Sequence, residues 1–287
     1  MPIRPRRSIL FLPANRPDRY PKALASGADS VCVDLEDAVG PEFKAEAREA
    51  LVRLLATRPD HPAELIVRIN PARSEIGLRD LLALVETAGS HPPDAVMLPK
   101  LSGPDEVAWV AELLEPGHPS VELIAMIETA RGLEAAAEIA SASPKVSALI
   151  LGGVDLSAEL GSTRDWAPML YPRSRVVHAA ALARIAAVDL PYLDVTDLAG
   201  LERETKLSKS LGLTGRTAVH PTQVEPIQRI FSPTAEEVDR ARRVIEAYEK
   251  NQGGVLLVDG KLIERPVILA AQRILASAAL TPSEASS

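Results

Sequence analysis

At 287 residues, with 46% hydrophobic and 25% charged positions, the chain has the make-up of one folded globular body, and neither a disordered chain nor a membrane-embedded one fits it. A net charge of −7 with scattered basic residues leaves no footprint for nucleic acid, and the apolar runs are broken by charge well short of the about 20 residues a membrane span requires. Arg4, Arg6 and Arg7 lead into a strand-like Ser8-Ile-Leu-Phe-Leu-Pro13 rather than the long apolar core of an export signal, so the expected location is the cytoplasm.

Short apolar or β-branched runs alternate along the chain with Ala/Leu/Glu/Arg-rich stretches of helical period, the pattern of a parallel sheet built from βα units. The runs, in order, are Ile9–Leu12, Ser30–Asp34, Leu65–Ile69, Ala95–Leu98, Glu122–Ile127, Ala148–Leu151, Tyr192–Val195 and Thr217–Val219. Eight such repeats are the number that closes a barrel, so the expected fold class is α/β, a TIM (β/α)8 barrel over residues 1–232. Helices are expected over Pro41–Thr57, Leu78–Ala88, Pro104–Leu114, Ala130–Ser141 and Pro172–Val188, with prolines at several starts, where a missing N–H costs nothing. The lone Cys32 sits inside an apolar run and reads as a buried small hydrophobe. Residues 233–287 form a C-terminal extension. It has a helix over Thr234–Asn251, Gly253-Gly254, a short strand pair turning at Asp259-Gly260, a helix over Val267–Ala279 and a frayed polar end.

In a barrel of this kind, chemistry sits where the strands end at their C-terminal side. Those positions carry Asp34-Leu-Glu36-Asp37, Arg68-Ile-Asn70, Lys100, Glu128-Thr129, Gly152-Gly-Val-Asp155, Asp194 and Asp197, and His220-Pro-Thr-Gln223. Carboxylates converging on one mouth repel unless a cation lies among them, and oxygen-only ligation suits Mg2+, or Mn2+. Glu128 and Asp155 are the candidate direct ligands; the competing reading makes each a helix-start carboxylate favoured by the helix dipole. Gly152-Gly153 allows a ligand close to the backbone, or a tight turn. The Arg68 guanidinium must meet an anion, either a substrate oxygen or a neighbouring carboxylate, and the same two readings apply to Lys100. His220 before Pro221 reads first as a hydrogen-bonded turn residue.

Seven fragments in order, Arg7-Ser-Ile-Leu-Phe-Leu-Pro13, Gly27-Ala-Asp-Ser-Val-Cys-Val-Asp-Leu-Glu-Asp-Ala-Val39, Val67-Arg-Ile-Asn70, Leu98-Pro-Lys100, Ile127-Glu-Thr129, Gly152-Gly-Val-Asp155 and Gly215-Arg-Thr-Ala-Val-His-Pro-Thr-Gln223, resemble the citrate lyase β subunit family of the HpcH/HpaI aldolase/citrate lyase superfamily, which includes malyl-CoA and citramalyl-CoA lyases. The resemblance implies a carbon–carbon lyase that cleaves a malyl-CoA-type or citramalyl-CoA-type thioester to acetyl-CoA and a 2-oxo acid. It implies Mg2+ on Glu128 and Asp155, with Glu36 and Asp37 holding the metal's waters. Substrate would lie against Arg68, Gly153, Val154 and Asp155, with Arg68 facing the charge that develops on the thioester oxygen. Arg16, Arg19 and Lys22, after the first strand, are candidates for coenzyme A contacts; the alternative is a solvated helix face.

The resemblance also implies a homotrimer or homohexamer in which the extension reaches a neighbouring subunit and brings an acid–base carboxylate to its site. Family members carry an Asp within Gly-x-Met-Ile-Asp-x-Pro. This chain reads Gly260-Lys-Leu-Ile-Glu264-Arg-Pro266, so Glu264 takes the catalytic place and Asp259 is the second candidate. The alternatives are a citrate lyase β subunit acting on a carrier-protein thioester, a pyruvate-type aldolase acting on free acids, and a non-catalytic barrel that binds acyl-thioesters.

Overall fold

Strands with apolar residues on both faces are built to be covered on both sides, by a barrel interior and by a helix layer. The computed structural model describes residues 4–87, 92–250 and 257–280. Eight parallel strands, β1 (Ser8–Pro13), β2 (Ser30–Asp34), β3 (Glu64–Arg68), β4 (Ala95–Leu98), β5 (Glu122–Ile127), β6 (Val146–Leu151), β7 (Ala186–Asp189) and β8 (Gly215–Ala218), pair in sequence order, and β8 pairs back onto β1. The result is a closed TIM barrel. Its helices are α1 (Tyr20–Leu24), α2 (Lys44–Ala56), α3 (Glu75–Glu86), α4 (Pro104–Leu114), α5 (Ala130–Glu134), α6 (Ala136–Ala140), α7 (Gly153–Leu160), α8 (Leu170–Ala183), α9 (Leu198–Leu211) and α10 (Val224–Phe231).

The helix starts follow local chemistry. Ser74 accepts the Gly77 N–H at 3.0 Å, Thr129 that of Gly132 at 2.8 Å and Asp197 that of Gly200 at 2.8 Å, each satisfying an amide with no partner inside its helix. Pro104 opens α4 after Gly103. The stretch expected as one helix over Ala130–Ser141 is instead two short helices meeting at Ala135.

The two-residue period of a strand sorts its side chains in layers. Ser30, Cys32 and Asp34 of β2 stand beside Glu64, Ile66 and Arg68 of β3 in register. Cys32, Ile66, Met97, Ile124 and Ile150 fill the apolar middle of the barrel. Below them Glu64 takes Arg6 Nε at 2.8 Å and Ser30 Oγ at 2.6 Å, which closes the floor. Above them lie Asp34 and Arg68, at the ends of their strands. The alternate residues, such as Val31, Val33, Leu65, Val67, Leu149 and Leu151, face the helices.

The seventh strand is not the expected Tyr192–Val195 but Ala186–Asp189. α8 ends at Arg184, which adopts the left-handed conformation with φ 59° and turns the chain back into the sheet. Asp194 and Asp197 consequently lie past the strand, in the approach to α9, and Asp189 ends it. Asp189 points outward and is fully buried between Arg173 of α8 and Arg216 of β8, at 2.9 and 2.6 Å, with Ser208 of α9 donating to it as well. Exchanging Asp189 for Asn leaves two buried guanidinium groups with only the more distant Glu204, at 3.4 and 3.5 Å, as shared counter-charge, and a loss of about 3 kcal/mol is expected. Urea unfolding of D189N against the parent chain measures it.

The extension consists of α11 (Ala235–Lys250), a two-residue antiparallel pair β9 (Leu257–Val258) and β10 (Lys261–Leu262), and α12 (Arg265–Leu280). Asp259 and Gly260, both at positive φ (51° and 72°), make the turn expected there. Ala241, Val244, Ile263, Ile268 and Ala271 form its own small core, separate from the barrel's. Ala88, Asn251, Gly253-Gly254 and the polar end after Leu280, all part of the expected elements, lie outside the described residues. Among the described residues no helix is long and apolar enough to cross a membrane.

Candidate functional site

The mouth is built on the inward positions at the ends of β2, β3 and β5, with the loops after β4 and β6 completing it. Arg68 ends β3 directly opposite Asp34. Its Nε and Nη2 donate to the two Asp34 oxygens at 2.7 and 2.6 Å, a two-pronged pairing, while Nη1 stands 2.8 Å from Glu36 Oε2. The guanidinium also lies over the Phe11 ring, 5.2 Å from its centre. Burial works to lower the Arg68 pKa, but hydrogen bonding and charge from Asp34 and Glu36 outweigh it, and the net shift is upward. Asp34 itself is held by the N–H groups of Glu36 and Ala38 at 2.9 and 3.1 Å.

Glu36 is buried, and burial raises its pKa against the pull of Arg68 and Lys100. Lys100, after β4, adopts positive φ (53°). That backbone turn aims its N–H at Glu128 Oε1, 2.7 Å away. Its ammonium lies 2.7 Å from Glu36, 3.3 Å from Asp37 and 3.7 Å from Asp155, and although burial opposes this, these acids raise its pKa. The close contact to Glu36 Oε1 is an ion pair without hydrogen-bond geometry, which leaves that oxygen with acceptor capacity.

Glu128, one residue past β5, is 2% exposed. Its pKa is pushed up to about 8, first by burial and then by the neighbouring negative charges of Glu36 and Asp155, against the Lys100 N–H and Arg68. Gly152 makes the room for it: a Cβ at that position would collide with Glu128 Oε2 and Cβ. Gly153 is equally confined, by Leu190, and Val154 is exposed. Asp155 lies in the first turn of α7, while Gly152 holds the cap position, so the carboxylate does not cap the helix. The helix dipole still favours it there.

Thus Glu36, Asp37, Arg68, Glu128, Gly153 and Asp155 come together at one end of the barrel. Asp34 and Lys100 complete the cluster. The sequence pointed to Lys100 without choosing a role and assigned none to Asp34, although the inward parity of Asp34 with Arg68 was readable from the two-residue period. His220 is an exposed turn residue, with its ring at 2.8 Å from Thr222 Oγ1. Arg16, Arg19 and Lys22 are exposed just past β1, at the mouth end, and Arg16 is paired with Asp18 at 2.8 Å. Glu264 is exposed at the start of α12, where its backbone carbonyl accepts the Val267 and Ile268 N–H groups. None of its hydrogen bonds among the described residues reaches the mouth of its own barrel.

Among the described residues no three His, Cys, Asp or Glu side chains gather closely enough to enclose a metal ion. Mg2+ needs no such enclosure, since it takes one or two carboxylates and keeps several waters. Glu128 and Asp155 offer oxygen donors, Gly152 leaves space beside Glu128, and Glu36 and Asp37 share the Lys100 ammonium with Asp155.

Residues 7–221 match the family described as HpcH/HpaI aldolase/citrate lyase. The chain belongs to that family. Among its HpcH/HpaI relatives it is 35% identical to the citrate lyase subunit beta of Leuconostoc mesenteroides subsp. cremoris, over 94% of this chain and 92% of that protein. It is 36% identical to the (3S)-malyl-CoA thioesterase of Cereibacter sphaeroides (96% and 95% covered) and 31% identical to the human mitochondrial citramalyl-CoA lyase (93% and 84%). The crystal structure of protein CitE from Mycobacterium tuberculosis, in complex with magnesium, acetoacetate and coenzyme A, superposes with a TM-score of 0.79 at 34% identity, covering 96% of this chain and 98% of that one.

Proposed function

We propose that this HpcH/HpaI family chain is a magnesium-dependent carbon–carbon lyase that cleaves a short hydroxyacyl-CoA thioester, of malyl-CoA or citramalyl-CoA type, into acetyl-CoA and a 2-oxo acid. The observation that carries the reading is Glu128, a buried carboxylate at the barrel mouth whose pKa is raised to about 8 beside two further acids, the environment a hard dication relieves. In this reading Glu128 and Asp155 hold the metal, and Glu36 and Asp37 accept from its waters. When bound, magnesium supplies a Lewis acid that polarises the substrate oxygen destined to become the 2-oxo group.

The remaining work belongs to the chain. The N-terminal turn of α7, with the Gly153 and Val154 amides, receives the substrate carboxylate. Arg68 stands fixed by Asp34 and Glu36, so its positive charge is in place before the thioester oxygen gains negative charge, and no side-chain ordering is paid for at that moment. The carbon–carbon bond breaks as the hydroxyl proton passes to an acid–base carboxylate. The electron pair passes to the acetyl thioester, which then takes up a proton at carbon. Glu264 of a second copy supplies that acid–base group in this reading, with residues 233–287 reaching across a homotrimer or homohexamer. The separate small core of the extension and the exposure of Glu264 support it. Arg16, Arg19 and Lys22 rim the mouth where a coenzyme A phosphate would lie.

Incubation with citramalyl-CoA or malyl-CoA and Mg2+ is expected to give acetyl-CoA together with pyruvate or glyoxylate, and EDTA is expected to stop it. Free coenzyme A and the intact hydroxy acid would instead reveal thioester hydrolysis, as the name of the Cereibacter relative suggests for that protein. An unreacted thioester would sink the proposal.

A further inference from the structure

The loop that carries Glu36 and Asp37 is held from beneath by groups that none of the roles above assigns. Lys44, the first residue of α2, folds its half-buried side chain back under the β2–α2 loop and donates to two backbone carbonyls, Leu35 O at 2.8 Å and Glu36 O at 2.7 Å. Among the described residues its ammonium has no carboxylate within ion-pair distance, so these carbonyls are its main partners. Glu36 O also accepts the Val39 N–H at 2.9 Å. Leu35 O takes a second donor, Asn70 Nδ2, at 3.0 Å. Asn70 is itself fixed by the buried Asp80, whose Oδ2 accepts both the Asn70 N–H at 3.0 Å and Nδ2 at 2.7 Å and whose Oδ1 takes Arg48 Nε at 2.8 Å.

α2, the end of β3 and α3 thus brace the two peptide units on either side of the Glu36 Cα, one through Leu35 O and the other through Glu36 O. The orientation of those two units sets where the Glu36 Cα–Cβ bond points. An ammonium suits this position, because it can donate to two carbonyls at once and adds positive charge beneath a loop that carries Asp34, Glu36 and Asp37. A neutral side chain of the same length would leave Leu35 O to Asn70 and Glu36 O to the Val39 N–H, with the tie between the two carbonyls gone and the loop freer to relax. Burial lowers the Lys44 pKa, against the opposing pull of the Asp34, Glu36, Asp80 and Asp37 charges.

We infer that Lys44 is a positioning residue which, by clamping the Leu35 and Glu36 carbonyls, fixes the Glu36 carboxylate for the waters of a divalent cation. The inference rests on the metal site proposed above. It assigns Lys44 no contact with substrate or metal.

Calorimetric titration of the metal-free protein with MgCl2 tests it without any assay of turnover. Loss of a group that orients a metal's outer contacts weakens binding by about 10- to 100-fold, and Lys44→Met is expected to fall in that range. Thermal unfolding of the same metal-free samples reports separately on any general loss of stability. Lys44→Cys, treated with 2-bromoethylamine, restores an ammonium at nearly the original reach, and recovery of magnesium affinity is expected. Cys32 does not interfere, since it is buried and burial pushes its thiol well up from the usual range. Unchanged affinity in folded Lys44→Met would overturn the inference while leaving the metal site standing. So would weakened affinity in the Cys variant that aminoethylation fails to restore. A parent chain that binds no magnesium would overturn the metal site and the role of Lys44 together.

Discussion

Replacing Arg68 by methionine is expected to remove turnover and to destabilise the barrel at the same time, and the two losses have different causes. Asp34 is fully buried and Glu36 nearly so, and both direct oxygens at this one guanidinium. Without it, two carboxylates remain in the barrel top with backbone N–H groups and Lys100 as their support. Breaking a buried pair from one side costs about 3–5 kcal/mol. The catalytic loss arises because a fixed charge aimed at a developing oxyanion is worth about 10²–10³ in rate. Chemical unfolding of the metal-free protein and a product assay measure the two separately. The double variant Asp34→Asn with Arg68→Met sharpens the test: it removes one stranded charge and is expected to regain part of the stability and none of the activity. Arg68→Lys is expected to fall between, since one ammonium cannot make the two-pronged contact with Asp34 and reach Glu36 as well. A methionine variant with parental activity would sink the assignment of Arg68 as a catalytic residue.

The barrel was legible because its strands are short apolar runs separated by amphipathic helices, a pattern set by burial and readable residue by residue. Seven of the eight expected runs overlap the observed strands. The exception has a physical cause. Ala186-Ala187-Val188-Asp189 follows an Ala-rich helix with no glycine or proline between, and the chain leaves the helix through Arg184 at positive φ. A non-glycine residue in that conformation gives no sign in the sequence. Tyr192–Val195 looked more strand-like by composition, yet Tyr192 serves the loop, its hydroxyl donating to Asp197 at 2.6 Å.

At the mouth, the residues that end strands were readable, and their partners were less so. The pairing of Arg68 with Asp34 follows from register, and register depends on closure of the whole barrel. The two contributions of Lys100, an N–H to Glu128 and an ammonium among three acids, both depend on its positive φ. Lys44 escaped notice for a related reason: its partners are carbonyls, which every residue has, so no motif marks them. Glu264 illustrates the other limit, because a residue proposed to act on a second copy makes, among the described residues, no hydrogen bond to its own barrel that would single it out.

Glu128 offers the most direct test of the proposed metal, through pH. Its carboxyl, ordinarily near 4.5, is pushed up to about 8 in the metal-free fold by burial and by Glu36 and Asp155. Between those values the folded chain carries a proton there that the unfolded chain does not. The stability that this proton confers is present in full below about pH 4.5 and is lost as pH rises through about 8. Metal binding must displace the same proton, so in the proposed site magnesium affinity rises with pH across this window, by up to about tenfold per unit, and levels off once Glu128 is ionised. Calorimetry in buffers of different ionisation enthalpy is expected to record release of nearly one proton per metal at pH 7. Glu128→Gln removes both the proton and the ligand, and its expected signature is loss of magnesium binding together with a flattened dependence of metal-free stability on pH. Gly152→Ala reaches the same carboxylate without changing any charge, since the added Cβ would collide with Glu128 Oε2. It is expected to weaken magnesium binding while the unfolding midpoint keeps its response to pH. Magnesium affinity that is flat from pH 6 to 8, with no proton released, would remove Glu128 from the metal site and with it the ground for a metal-assisted cleavage.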